Sequence, residues 1–425
     1  MTFLGDIFKM AQSSRERNRR KKQQPIIVPP PEKLDYPNFA FDILHKDPGG
    51  KARVGRLSTP HGTIETPNYI FCGTKASIKN LSPAAMREAQ TDIILANTYH
   101  VMIQPGAAVV EKMGGLHDFM QWRGPMMTDS GGFQIFSMGH GSVADEIKGR
   151  NKGARTKSML KITEDGARFQ SYWDGAALTL TPESSMQIQR ALGADLIYQL
   201  DECTAYHVDK DYTAMSMERS HRWGDRSLAE FARAHDGRQA LYGIVQGGVY
   251  EDLRDISCAY VNDRAFFGSA VGGSLGGSVG EMFDVVNMCM QRLRDDRPVH
   301  LLGIGRIEDV FNFVRVGIDT FDCVTPTRIA RHGMALIKGQ RGERINLTNA
   351  RYRDDPEPLD PRIGIPASRD FSKAYIHHLL KSGEMFGMQI VAQHNVATIN
   401  WLMREVREAI RNGTLDALQK EWLPA

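Results

Sequence analysis

The sequence predicts an α/β chain built as a (β/α)8 barrel, a TIM barrel, with a small helical subdomain appended near its C-terminus. The first observation is a rhythm of eight short apolar runs: Asn68–Phe71, Asp92–Ala96, Pro125–Thr128, Asp195–Leu200, Ala240–Val245, Phe266–Val271, Val299–Leu302 and Thr320–Phe321. The second is helical periodicity between them, as in Pro182–Leu192, Ser227–His235, Met282–Leu293 and Arg306–Val316. Strands alternating with helices call for a parallel sheet, and eight of them close into a barrel. A doubly wound sheet competes, but no GxGxxG follows the first run. The third observation is what stands where each run stops: Asn97 after the second, Asp129 after the third, Asp201 after the fourth, Gln246 after the fifth, Gly272-Gly273 after the sixth, Gly303 after the seventh and Asp322 at the eighth. All strand ends of a parallel barrel meet at one mouth, so polar groups far apart in sequence become neighbours there. One strand-end Asp is ordinarily structural. Three at one rim are costly to bury unless paired or used.

Composition bounds the chain without choosing a function. It has 425 residues, 41% hydrophobic and 24% charged, enough for a large core. A net charge of +3 is too small to argue for a polyanionic partner, so the distribution of charge matters more. The five cysteines are scattered with no CxxC pair, which reads as reduced thiols in the cytoplasm. No apolar run reaches the roughly 18 residues of a membrane helix, and Asp6 and Lys9 interrupt any secretory segment.

Residues 1–34 read as a basic, disordered arm: Arg15, Arg17, Arg19, Arg20, Lys21 and Lys22 precede Pro29-Pro30-Pro31. A solvated tail is the simplest reading, with an RNA-grazing arm or a targeting segment as alternatives. Residues 35–350 hold the barrel. Within it, the 139–158 loop carries Lys148, Arg150, Lys152, Arg155 and Lys157 and emerges at the acidic mouth, which suits a substrate anionic outside its reacting centre. Around Asp322, Pro326 forbids a continuing strand, and Arg328 and Arg331 follow at once. A carboxylate so placed serves as a nucleophile beside a polyanion, or merely caps a turn. Residues 351–394 break the repeat with a Pro- and Asp-rich entry and two helical stretches, Ser372–Leu380 and Met388–Met403. Residues 395–425 return to the barrel through a helix at Trp401–Arg411. Cys203 and Cys323 flank acids without a His partner in sequence reach and read as buried structural thiols. His100 reads as part of the strand-end network.

With the mouth assembled, the chain resembles the tRNA-guanine transglycosylases over about residues 37–423. The matching stretches are Asn97-Thr98-Tyr99-His100, Asp129-Ser130-Gly131-Gly132-Phe133-Gln134, Asp201-Glu202-Cys203-Thr204, Gln246-Gly247-Gly248, Gly272-Gly273, Gly303-Ile304-Gly305 and Phe321-Asp322-Cys323-Val324-Thr325-Pro326-Thr327-Arg328. The resemblance implies exchange of the guanine at wobble position 34 of tRNA for a 7-deazaguanine base. It implies Asp322 as nucleophile, Asp129 as general acid/base and Asn97 as its orienting partner. Ser130, Gly131, Gly132, Phe133, Asp201, Gln246, Gly272 and Gly273 would hold a flipped-out base, Phe133 by stacking and Asp201 through N1–H and the exocyclic amine. Gly303, Ile304, Gly305, Arg306, Ile307, Glu308 and Asp309, with Thr327, Arg328, Ile329, Ala330 and Arg331, would line the RNA path.

Three departures qualify the resemblance. The family's zinc subdomain uses CxCxxC and a His; here the positions read Ile363, Ile365, Ser368 and His394, so no metal and no other cofactor is expected. The homodimer that this subdomain helps to form is correspondingly less assured. Gly276 falls where preQ1-using members carry Val, which favours queuine over preQ1. The 139–158 insertion is longer than the family leads one to expect. Two alternatives stand beside the main reading: a transglycosylase that inserts a 7-deazaguanine into DNA, and a non-catalytic tRNA-binding subunit.

Overall fold

The computed structural model describes residues 28–135 and 161–424. Most of the basic arm and the whole 139–158 loop lie outside the described residues. Three antiparallel strands come first: β1 (Ala40–Lys46), β2 (Arg53–Thr59) and β3 (Gly62–Thr66). Then β4 (Asn68–Gly73), β5 (Ile94–Ala96) and β6 (Met126–Thr128) begin the barrel. A side sheet follows, β7 (Lys161–Thr163), β8 (Gly166–Gln170) and β9 (Ala177–Leu180). The barrel resumes with β10 (Leu196–Tyr198), β11 (Ala240–Val245), β12 (Gly268–Val271), β13 (Val299–Leu301) and β14 (Thr320–Cys323). β14 pairs in parallel with β4, so the eight-stranded barrel is closed. Every one of the eight runs read from the sequence is a barrel strand, because these residues are buried on both faces, as parallel strands require.

Two apolar layers hold the barrel. Inside it, Ile70, Leu95, Met127, Tyr198, Tyr242 and Ala270 fill the lumen. Leu57 and Ile64 of β2 and β3 join the same cluster, so the first sheet plugs the amino-terminal end. Outside it, Phe71, Ile94, Ile197, Leu241, Val271 and Phe321 face the helices. Successive strand residues point alternately in and out, which is why Tyr198 and Ile197, or Tyr242 and Leu241, divide between the layers.

Helix boundaries differ from the periodicity in two places. The stretch read as a helix at Ser227–His235 is the end of a helix running Lys210–Arg233. Its earlier turns carry Ser216, Ser220 and Trp223 inward, a buried face too polar to stand out in sequence. The helices read at Met388–Met403 and Trp401–Arg411 are one unbroken helix, Met385–Asn412. No Gly or Pro interrupts it after Gly387, so nothing ends it before the αL cap at Gly413. A boundary between residues 394 and 395 therefore falls inside one element. Asn395, buried mid-helix, donates to the carbonyls of Pro326 and Met334 (2.9 Å each), which ties this helix to the segment just after Asp322. β15 (Met334–Leu336) and β16 (Arg344–Asn346) form a hairpin beside it. None of the described helices is long and apolar enough to cross a membrane.

Candidate active site

The carboxyl ends of the strands meet as expected, and three carboxylates share the mouth. Asp129 follows β6 directly. Its Oδ2 accepts from Asn97 Nδ2 (2.6 Å) and Gln134 Nε2 (2.7 Å), and its Oδ1 from the Thr98 backbone N–H (2.7 Å). Burial raises its pKa above the ordinary carboxylate value; these donors work against the rise, and the charge of Asp322 adds to it. Asp201 lies deeper, 5% exposed, accepting from Gln246 Nε2 (2.5 Å) and Ser130 Oγ (3.3 Å). Burial pushes it up to about 6, and the charge of Asp129 contributes in the same direction. Asp129 thus lies within electrostatic reach of both Asp322 and Asp201.

Asp322 occupies the third position of β14, one residue before the strand ends, rather than beyond it. Its Oδ1 accepts from the Gly303 backbone N–H (2.7 Å) and lies 3.1 Å from His300 Nε2. Among the described residues its Oδ2 has only the weak Cys72 Sγ donor, at 3.4 Å. The sequence assigned Gly303 to the RNA path; its N–H instead holds the candidate nucleophile. His300 and Cys72 were missed altogether. Both are buried in apolar runs, and only register reveals them: His300 pairs with Thr320 across β13–β14, and Thr320 lies two residues before Asp322 on the same face.

The glycines of the pocket have distinct reasons. A Cβ on Gly273 (φ +77°) would come 2.3 Å from Gln246 Oε1, and one on Gly132 would come 2.8 Å from the Asp201 carbonyl. Close backbone approach to Gln246 and Asp201 therefore demands glycine at both. Gly131 has φ +84°, and Gly272 accepts from Arg254 Nη1 (2.9 Å). Gly276 also answers to its own loop: a Cβ there would come 2.7 Å from the Glu281 side chain, and its φ is +118°. Phe133 is 44% exposed, a free aromatic face at the rim.

The expected RNA path divides by burial. Gly303, Arg306 and Arg328 are exposed, and Ile304, Glu308, Ile329 and Arg331 half-buried. Gly305, Ile307, Asp309, Thr327 and Ala330 are buried and cannot meet a polymer. Asp309 caps its own helix by accepting from the Arg306 N–H (3.1 Å), and Gly305 accepts from Tyr69 Oη (3.0 Å).

Two groups bear on metals. At the family's zinc position the residues do not fit the ion. His394 spends Nδ1 on Ser368 Oγ (2.9 Å) and Nε2 on the Leu336 carbonyl (2.7 Å), while Ile365 is buried and Ile363 packs on the core. Burial lowers His394 to about 4, which keeps it neutral. At the opposite end of the barrel, His61, His117 and Asp195 have metal-like spacing. Their imidazoles stack face to face, centroids 3.6 Å apart and 17° from parallel. In-plane lone pairs on parallel rings do not converge on one ion at about 2.0–2.1 Å, so the pair serves Asp195 instead.

Barrel and mouth together define the class: a (β/α)8-barrel enzyme that gathers carboxylates at the carboxyl ends of its strands. The chain belongs to the queuine tRNA-ribosyltransferase family, whose model matches residues 47–425. It is 46% identical to the queuine tRNA-ribosyltransferase of Roseiflexus sp. (strain RS-1), across 90% of this chain and 99% of that relative. Those of Herminiimonas arsenicoxydans (44%; 90% of this chain, 97% of the relative) and Protochlamydia amoebophila (strain UWE25) (43%; 88% and 95%) are similar over nearly their whole lengths.

Proposed function

We propose that the chain is a tRNA-guanine transglycosylase, a pentosyltransferase that exchanges guanine 34 of tRNA for a 7-deazaguanine base through a covalent Asp322–ribose intermediate. What carries the reading is the division of labour among three acids in one cavity. Asp322 keeps one oxygen nearly free of donors, as a nucleophile needs. Asp129 is raised by burial toward the range where a carboxyl both gives and takes protons. Asp201 is buried beside Gln246 where a guanine-like edge would be read.

The steps balance. Asp322 attacks C1′, the C1′–N9 bond breaks, and guanine leaves with a proton at N9 from Asp129. The incoming base returns its N9 proton to Asp129, its N9 attacks C1′, and the Asp322 carboxylate is released, as in retaining glycosyl transfer. Asn97, Thr98 and Gln134 hold Asp129 in register for both transfers. Queuine is the favoured base and preQ1 the runner-up, because no side chain at Gly276 fills the loop. The chain works without zinc in the cytoplasm, as a homodimer or alone. Arg328 and Arg331 are the cations that the described part of the expected path offers the RNA, with Arg306 paired to Glu308 and Asp309 beside them.

The test is transfer of labelled guanine. Wild type incorporates it into tRNA and not into duplex DNA, and a denaturation-stable RNA adduct forms that Asp322→Ala abolishes. Label in duplex DNA would move the assignment to a DNA-modifying transglycosylase. Tight tRNA binding with neither exchange nor adduct would make the chain a binding subunit. Rates of queuine and preQ1 insertion into one tRNA decide the base.

A further inference from the structure

Asp322 is held by a buried histidine. His300 lies in the middle of β13, fully buried, with its ring fixed at both ends: Nδ1 is 2.8 Å from Thr320 Oγ1 and Nε2 is 3.1 Å from Asp322 Oδ1. Thr320 and Asp322 lie on the same face of β14, and the β13–β14 register sets His300 directly opposite Thr320. With the Thr320 hydroxyl donating to Nδ1, the proton of the neutral ring is at Nε2, facing the carboxylate. Oδ1 then receives two donors, His300 Nε2–H and the Gly303 N–H, while Oδ2 faces only the Cys72 thiol.

We infer that His300 is a positioning residue that selects Oδ2 of Asp322 as the attacking oxygen and, with the Gly303 N–H, holds Oδ1 throughout the exchange. The inference rests on the reading of Asp322 as nucleophile. When Oδ2 bonds to C1′, Oδ1 becomes the ester carbonyl and keeps both donors. When the ester breaks, Oδ1 regains its share of negative charge, and the two hydrogen bonds strengthen as they become charge-assisted. His300 therefore favours release of the ribose to the incoming base and prevents accumulation of the covalent species. Around the carboxylate, His300 is the one basic group of the described residues tied to Asp322. The ionisable groups there are Cys72 and Tyr69 on β4, Cys323 on β14, Tyr198 on β10 and Asp129 after β6; each is neutral or anionic. Among the described residues His300 is the one side chain aimed at Oδ1.

The experiment compares three variants. His300→Leu removes the donor, His300→Gln carries an amide N–H to the position of Nε2, and His300→Asn keeps a polar group near Thr320 but falls short of Asp322. The leucine and asparagine variants are expected to lose about tenfold to a hundredfold in kcat, and to trap more covalent RNA adduct when no second base is supplied. Glutamine is expected to restore most of the rate and the wild-type adduct level. Thermal melting identifies any variant that fails to fold, and the glutamine–asparagine comparison stands without the leucine variant. Equal rates and adduct levels in glutamine and asparagine overturn the inference while leaving Asp322 as nucleophile. A wild-type enzyme with no adduct sensitive to Asp322→Ala overturns the nucleophile reading, and this inference with it.

Discussion

The two ends of the barrel use the same residue for opposite purposes. At the amino-terminal end, Asp319 sits fully buried before β14, and Arg53 grips it through Nε (2.9 Å) and Nη2 (2.5 Å) while also donating to the Asp295 and Arg297 carbonyls. Asp195 sits fully buried before β10, accepts from His61 Nδ1 (2.7 Å) and the Met126 N–H (2.8 Å), and has His117 Nε2 at 3.3 Å. At the carboxyl end, Asp129, Asp201 and Asp322 are met by amides, hydroxyls, backbone N–H groups, a thiol and one imidazole, with no Arg or Lys of the described residues on any of them. Carboxylates paired with cations are spent on closing the barrel. Carboxylates left with neutral donors keep charge and basicity available for chemistry, at some expense in stability.

Removing Arg53 should break this contrast most sharply. Arg53→Met leaves Asp319 buried without its cation, and a loss of about 3–5 kcal/mol is expected in urea unfolding at pH 7. Burial already holds Asp319 above the ordinary value despite Arg53. Without Arg53 its folded pKa rises further above the unfolded one, near 3.9, so the deficit should shrink as pH falls and level off below about 3, where both states carry the proton. A deficit independent of pH would mean that the lost carbonyl contacts, not the orphaned charge, dominate.

Asp201→Asn tests the other end. Exchange should fall by about a hundredfold or more, because the amide presents a donor to a base edge that itself donates. Stability should move the opposite way. The folded pKa of Asp201, about 6, stands above the unfolded value, so wild type loses stability as pH rises from about 4 through 6. The asparagine variant escapes that loss, by up to about 3 kcal/mol above pH 6, with no difference near pH 4. Melting curves at pH 4.5 and 7.5 measure it; equal destabilisation at both pH values would show that Asp201 serves the fold.

His61→Ala is the smallest change and refines the amino-terminal end. The hydrogen bond to Asp195 raises the pKa of His61, so its contribution is complete below the unfolded value, near 6.5, and fades as pH rises through the folded one. With its side chain 39% exposed, solvent screening leaves a cost of a few tenths to about 1 kcal/mol at pH 6, smaller at pH 8.5. A cost that grows with pH would assign the proton differently.

Much of the site was legible in the chain because the groups at the mouth are terminators of apolar runs. Asn97, Asp129, Gln246 and Gly272 follow their strands directly, and parallel strands must end on one side. His300 was not legible, since a histidine inside Val299–Leu301 looks like filler until the register with Thr320 is known. The conformational reason for Gly276 was not legible either, because sequence position does not say where a missing Cβ would point.

The sequence by itself determined the eight strands, their order and the polar residue at each carboxyl end, since burial on both faces and chain direction are local properties written as short apolar runs. Only the tertiary structure decided what each acid does. Asp319 and Asp322 are three residues apart in the chain, yet one is held by an arginine 266 positions away and the other by a histidine on the strand beside β14. A carboxylate's charge, proton affinity and free lone pair depend on what lies within a few ångströms, and those neighbours come together only when the barrel closes.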